Sequence, residues 1–426
     1  MAHEEYIINH LSDTDSYKYT MGQVHYHQFP YVRSKWLLTI RSTNVKTAYL
    51  KDEVSYQLDH LCELKHSDDE VNFFASHNWY SDDYVEFLSK LRLQREDIHV
   101  ARDGDVLGVW TDGLELHDQW FETMAMPIIQ ELWMKDQPTD YEEGKKKLDI
   151  AIDKYNALIK KGKRFTLSDF GTRRRAAFWW QDYVVRRLIE KCLAFVGTSN
   201  VYLAMKYGVK DIGTIAHQMF MLLQALARFN TAESQRATLD VWLKEYRGRL
   251  AILLSDTYGM DAFLRDCDSL YMKLSDGLRH DSDDPYLWCQ IFLEVLRQMF
   301  IDPHTKTACF SDSLKDDDVV GLVDTFADEI NVAIGQGTFL TNNVGGNPLN
   351  MVMKLDEVEG VKVVKLSDTA GKCNCKDPNR VNIIKSAFNY KPLSELSWMK
   401  NNPGAIKEYV AGILKYHRDS RVRRMI

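Results

Sequence analysis

Between residues 164 and 371 the chain repeats one unit: a short apolar run, a small or acidic residue at its end, then a helical stretch. The run ends are "RFTLSDFG" (164–171), "CLAFVGTSN" (192–200), "KDIGTIAH" (210–217), "LAILLSDTYG" (250–259), "GLRHDSDD" (277–284), "TACFSDS" (307–313) and "NVAIGQGT" (331–338). An eighth, "VKVVKLSDTAG" (361–371), closes or flanks the set. Strands alternating with helices build βαβ units around a parallel sheet, and seven or eight in series favour a barrel. Barrel active sites lie at the C-terminal strand ends, and here those ends carry Asp, Gly, Ser, Thr, Asn, Arg and His. The pattern predicts an α/β fold in three parts: an N-terminal α/β domain (1–160), an irregular, nearly closed parallel α/β barrel (161–370), and a C-terminal segment (371–426) packing back on the N-terminal domain.

In the N-terminal part, "SDTDSYKYTMGQVHYHQF" reads as a helix entered through Ser12 or Asp13, residues that cap and suit the helix dipole, and Pro30 stops it. A strand is expected at 35–43, helices at 51–64 and 82–92, and a strand pair near 96–116 turning at "RDGD" (102–105). The lysine-rich helix ending near 164 presents a solvated charged face. With 54 basic against 61 acidic residues and a net charge of −7, the chain lacks the basic excess of a nucleic-acid binder. No apolar run approaches the ~20 residues of a membrane span, and the acidic start has no signal-like apolar region. Seven cysteines, an odd number thinly spread, suit reduced thiols, and the C-x-C of Cys373 and Cys375 has no second ligand pair nearby. A cytoplasmic enzyme is the expectation.

Chemistry concentrates at the strand ends. In "DFGTRRR", Gly171 allows a tight turn, after which Arg173, Arg174 and Arg175 open a helix; guanidinium forks there form an anion site or, equally, a solvated basic turn. "VGTSN" offers Thr198, Ser199 and Asn200 to phosphate or sugar hydroxyls, a weak signal, while Gly335, Gly337 and Thr338 expose backbone N–H groups to a phosphate. Arg279 and Asp281 share one strand face, so the carboxylate holds a ribose hydroxyl or orients the arginine. Asp256 and Asp312 stand at strand ends, with helix capping as the bland alternative. His217 ends the third strand of the series; a lone histidine is more often a core residue, but in a phosphate-lined mouth a mostly neutral imidazole serves as base or nucleophile. No P-loop, nucleophile-elbow or zincin motif is present.

In order and spacing, "TDSYKYTM", "DFGTRRR", "VGTSN", "GTIAHQMF", "DAFLRD", "GLRHDSDDP", "FSDSL" and "VVKLSDTAGK" closely resemble the nicotinate phosphoribosyltransferase family, from about residue 11 to 390. The resemblance implies an enzyme of NAD biosynthesis that joins nicotinate and phosphoribosyl pyrophosphate into nicotinate mononucleotide and pyrophosphate. It also implies ATP hydrolysis coupled through a phosphohistidine, at His217, with Mg²⁺ carried by phosphoribosyl pyrophosphate and ATP. Tyr17 and Phe170 match the rings that sandwich the pyridine, the tyrosine coming from the partner subunit of a homodimer. Arg173 and Arg279 match contacts to the pyridine carboxylate and phosphates, Asp281 a ribose-holding residue, and Gly335, Gly337 and Thr338 the 5′-phosphate loop.

Relatives that use nicotinamide carry an aspartate where Ser199 stands, which favours nicotinate here. Two positions depart from the family: Asp283 stands where glycine is frequent, and Phe339 where a basic residue follows the glycine–threonine turn. The alternatives are nicotinamide phosphoribosyltransferase, a catalytically silent nucleotide-binding relative, which would be expected to lose His217 or an arginine, and a barrel lyase or isomerase, for which only Lys365 offers a Schiff-base lysine.

Overall fold

The computed structural model describes residues 6–226, 228–369 and 372–425. The N-terminal part contributes strands β1 (Arg33–Ile40), β2 (Ile98–Asp103), β3 (Val106–Thr111) and β4 (Gly113–Leu114). The parallel sheet follows in β5 (Phe165–Asp169), β6 (Phe195–Thr198), β7 (Lys210–Asp211), β8 (Ile252–Leu254), β9 (Gly277–His280), β10 (Thr307–Phe310) and β11 (Asn331–Gln336). Its order is β7-β6-β5-β11-β10-β9-β8, so the chain runs round in sequence with β7 and β8 as edges. Thr214, just beyond β7, donates to the Ile252 carbonyl of β8 at 3.0 Å, which brings the edges together and leaves the barrel nearly closed.

The eighth run does not join it. Residues 351–358 (β12, Met351–Val358) and 361–362 (β13, Val361–Lys362) pair antiparallel, and β12 lies against β1. The alternation of buried Met351, Met353 and Leu355 with less buried neighbours suits a sheet with one packed face. This antiparallel sheet, ordered β13-β12-β1-β3-β2, forms the roof of the barrel mouth. The C-terminal helix Pro403–Met425, expected against the N-terminal domain, packs on barrel helices Met260–Asp266 and Pro285–Gln298 instead. Tyr409 donates to Asp261 at 2.7 Å and the Tyr258 and Phe388 rings stack at 3.8 Å.

Two local expectations shift. The first helix runs Tyr17–Gln28, three or four residues later than a cap at Ser12 or Asp13 implies, because residues 12–16 are stitched to the barrel. Tyr202 N–H donates to the Ser12 carbonyl at 2.8 Å, Val201 N–H to Thr14 at 3.0 Å, and Ser16 N–H to Ser199 at 2.7 Å. The three arginines do not open an α-helix either: Arg173 and Arg174 lie in a 3₁₀ turn, Thr172–Arg174, Arg175 follows it, and the next α-helix begins at Phe178. The lysine-rich helix Tyr141–Lys160 does bury one stripe (Leu148, Ala151, Ile152, Tyr155, Leu158) and keeps its lysines off it, although Lys147 lines the cavity at the barrel mouth and is not simply solvated. Asp140 caps it by accepting from Glu143 N–H at 2.9 Å.

Candidate active site

A cavity of about 740 Å³ opens at the barrel mouth, bounded by the strand ends below and β12 above. It is the size of a small-ligand site. Tyr17, Phe170, Arg173, His217, Arg279, Asp281, Gly337 and Thr338 all line it. Phe170 follows β5, and its ring lies so close to β11 that a side chain at position 335 would collide with it. Gly335 therefore makes room for the aromatic wall and does not itself line the cavity. Tyr17 lines this cavity from its own chain, held there by the residue 12–16 stitching.

Thr198, Ser199 and Asn200 are buried and lie outside the cavity lining. Thr198 donates to Asp169 at 2.8 Å, Ser199 to Asp15 at 2.6 Å, and Asn200 to Asp13 at 2.7 Å while capping helix Val201–Tyr207. The loop fastens the first segment to the barrel, which then positions Tyr17 and Arg173.

The three adjacent arginines do different things. Arg175 is fully buried and grips Asp13 with two nitrogens at 2.5 and 2.7 Å and Glu131 at 2.6 Å. Arg173 lies against Asp15 and Glu122, each at 3.2 Å, with its guanidinium 5.7 Å from the Tyr17 ring centre. Arg174 lines the cavity, and burial together with the like charges of Arg173 and Arg41 lowers its pKa to about 10. On β12, Lys354 is brought down to about 7 by burial and by Lys365 and Arg41. Like charges crowded in one sector of a cavity favour a polyanion there. Lys354, Glu122 and Lys372 also line the cavity, and no motif in the sequence marks them.

His217 is the first residue of helix His217–Ala225, separated from the short β7 by coil, so it stands at a helix start and not at a strand end. Its Nδ1 lies 3.0 Å from the Thr257 hydroxyl, and Lys365 Nζ points at Nε2 from 2.7 Å. Two groups meet Nε2: the Lys365 ammonium, which only donates, at 2.7 Å, and the Asp281 carboxylate, which only accepts, at 3.1 Å; the tautomer with the lone pair on Nε2 and the proton on Nδ1 satisfies the shorter of the two contacts. Burial first, then Lys365, lower the pKa of His217, which leaves a neutral imidazole at pH 7.

Asp256 and Asp281 flank the same nitrogen at 3.6 and 3.1 Å. Burial opposes their charge, yet Lys365 for Asp256, and Arg279 for Asp281, hold both below the usual carboxylate range. Asp281 also accepts from Arg279 at 2.8 Å and Ser311 at 3.0 Å, so the pair orients itself. Asp312 pairs with Lys372 at 3.0 Å, and neither Asp256 nor Asp312 caps a helix.

The two departures also resolve. Asp283 has φ +71°, a left-handed conformation that glycine adopts without strain, and its side chain accepts from Asp284 N–H at 2.7 Å, outside the cavity lining. Phe339 lines the cavity with Lys315 Nζ 5.6 Å from its ring centre, so a cation stands beside the position where the family carries one.

Comparisons with known proteins agree with this arrangement. The family model described as nicotinate phosphoribosyltransferase (NAPRTase) matches residues 165–392, and that of its N-terminal domain residues 12–130. A nicotinate phosphoribosyltransferase of Chromobacterium violaceum is 40% identical over 397 residues, 91% of this chain and 98% of the relative. One of Neisseria meningitidis serogroup C is 38% identical over 394 residues, covering 90% and 97%. The crystal structure of nicotinate phosphoribosyltransferase from Vibrio cholerae superposes with a TM-score of 0.86 at 31% identity, covering 93% of this chain and 98% of that one. With both domain models matched in order and their residues meeting in one cavity, the chain belongs to the nicotinate phosphoribosyltransferase family.

Proposed function

We propose that this protein transfers the phosphoribosyl group of phosphoribosyl pyrophosphate to nicotinate, and that ATP drives the reaction through transient phosphorylation of His217. The observation that carries the reading is the single cavity in which two aromatic rings, an unbalanced basic sector and a neutral histidine meet. Tyr17 and Phe170 stack the pyridine, an interaction worth roughly 0.5–1.5 kcal/mol beyond the area buried, and Arg173 receives its carboxylate. Arg174, Arg279, Lys354 and Lys372, with the Gly337–Thr338 backbone, take the phosphates. Asp281 holds the ribose hydroxyls.

In the transfer step the pyridine nitrogen forms a bond to ribose C1′ as the C1′–oxygen bond to pyrophosphate breaks. Charge grows on the leaving pyrophosphate and is met by arginines and lysines already fixed in place, which avoids reorganisation during the reaction. In the coupling step the His217 Nε2 lone pair attacks the γ-phosphorus of ATP and ADP departs. Nδ1 keeps its proton on Thr257, and Asp256 and Asp281 balance the charged ring. Water later cleaves the P–N bond.

His217, Asp256 and Asp281 place one ligand atom each within 4.8 Å of one another. Lys365 Nζ, however, lies among them at 2.7, 3.2 and 3.8 Å, where a cation would go. The cluster does not fit a resident metal, and Mg²⁺ is assigned to the polyphosphates of the substrates, not to protein ligands.

The test is mononucleotide formation from phosphoribosyl pyrophosphate with nicotinate or nicotinamide, each with and without ATP, in wild type and His217→Ala. Nicotinate-dependent product stimulated by ATP in wild type, with the stimulation alone lost in the variant, is expected. Product from nicotinamide only, or ATP stimulation surviving in His217→Ala, overturns the assignment.

A further inference from the structure

Glu122 sits on helix Trp120–Lys135, in the wall of the cavity, with its side chain 12% exposed. Three donors converge on its two carboxylate oxygens. Lys18 Nζ lies 2.6 Å from Oε2, the Tyr17 hydroxyl donates to Oε2 at 3.2 Å, and Arg173 Nη1 donates to Oε1 at 3.2 Å. Two of the three, Tyr17 and Arg173, belong to the pyridine end of the site, and neither comes from the helix that carries Glu122.

The geometry assigns Glu122 as a positioning residue for the aromatic acid: it fixes the Tyr17 ring and aims the Arg173 guanidinium, so that both are in place before substrate arrives. This rests on the proposed use of nicotinate. Arg173 is held on two different sides, by Asp15 at Nε and by Glu122 at Nη1. A planar fork gripped at those two nitrogens has its remaining nitrogen, Nη2, as the one neither carboxylate engages, and a guanidinium so fixed presents a directed donor to a ligand carboxylate. Tyr17 is anchored by its hydroxyl, which sets the plane of the ring.

Lys18 explains why the carboxylate remains ionised. Burial opposes the charge of Glu122, but Lys18 and then Arg173 more than offset it and hold the group below its ordinary value. Lys18 is itself fully buried, shares the Gln218 side-chain carbonyl at 2.5 Å, and lies 4.4 Å from the Trp36 ring centre. The four charges Asp15, Glu122, Lys18 and Arg173 thus balance in pairs, and the positive charge facing the incoming carboxylate is set by direction and not by excess. In this respect the pyridine end differs from the sector of Arg174 and Lys354, where like charges crowd together and lower both pKa values.

The experiment is steady-state kinetics of Glu122→Gln, Tyr17→Phe and the double variant, with nicotinate and phosphoribosyl pyrophosphate varied separately. Glutamine keeps the shape but turns an amide N–H₂ toward Arg173 or Lys18. The expected result is a KM for nicotinate raised at least tenfold in Glu122→Gln with the KM for phosphoribosyl pyrophosphate within twofold. In the double variant the effects should be non-additive, because Tyr17→Phe removes one of the contacts through which Glu122 acts. Both KM values rising together, or additive effects, would overturn the assignment, as would an unchanged nicotinate KM. If Glu122→Gln fails to fold, Tyr17→Phe decides alone: its nicotinate KM must rise selectively, and an unchanged KM refutes the role. A wild-type protein inactive on nicotinate would instead refute the functional reading beneath it.

Discussion

Replacing Arg175 by methionine separates the structural from the functional arginines of "TRRR". Arg175 has no exposed surface and bonds two buried carboxylates, Asp13 and Glu131, at 2.5–2.7 Å. Removing the cation leaves two negative groups together in the interior. Breaking a buried ion pair from one side costs about 3–5 kcal/mol, and a single pair at ~4 Å and an effective dielectric near 20 is worth ~4 kcal/mol, so about 4 kcal/mol is a fair figure. Unfolding entropy near ~2.1 cal/mol/K per residue gives about 0.9 kcal/mol/K for 426 residues. If the chain melts as one unit, the midpoint falls by about 4–5 °C. Arg174→Met serves as the contrast. Burial and like charges already disfavour the cation at Arg174, so its loss should leave the midpoint within about 1 °C while raising the KM for phosphoribosyl pyrophosphate. Differential scanning calorimetry beside the kinetics reads both. An Arg175→Met protein that melts with the wild type but binds substrate poorly would show that the division of labour drawn from the hydrogen bonds is wrong.

Two further outcomes follow from the charges around His217 and β12. Lys365→Met removes the cation that helps depress the His217 pKa and leaves Asp256 and Asp281 beside Nε2; the pKa therefore rises, the nucleophilic neutral form retreats to higher pH, and the acid limb of the ATP-dependent rate moves up, whereas an unmoved limb contradicts the assigned tautomer. Lys354, brought to about 7 by burial, Lys365 and Arg41, is partly deprotonated in the free enzyme at pH 7–8. A bound polyphosphate raises that value, so calorimetry in buffers of different ionisation enthalpy should record proton uptake on binding phosphoribosyl pyrophosphate, and Lys354→Met should abolish it; equal uptake in wild type and variant sinks the idea.

The barrel was legible in the sequence because its signal is local. A strand buried by helices on one side and by the barrel interior on the other must be short and apolar, and its polar end must mark the mouth, so β5, β6 and β8 through β11 announce themselves one at a time, whereas β7 is only the charged pair Lys210–Asp211. Phe170, Arg173, Arg279, Asp281, Gly337 and Thr338 stand on or just beyond such strand ends, and their meeting in one cavity follows from the topology. His217 was legible only through the company it keeps, since the residues between it and β7 form neither helix nor strand.

What the tertiary structure alone decided is which polar groups face the ligand and which face one another. Arg173, Arg174 and Arg175 are identical in local sequence terms; a buried Asp13 and Glu131, far away along the chain, make the third a structural clamp. Thr198, Ser199 and Asn200 look like ligand-binding hydroxyls and amides until residues 12–16 are laid across them. Glu122, Lys354 and Lys365 come from a helix, a roof strand and a loop with no motif between them. The roles of Glu122 and Lys365 arise from charged or polar partners brought within 4 Å across separations of fifty residues and more, and a linear pattern carries no trace of such a pairing. The sequence determined the scaffold and the chemistry at its rim because those depend on neighbours in the chain. Only the fold, by removing water from between distant charges, decided which of them would hold the site together and which would remain for the substrate.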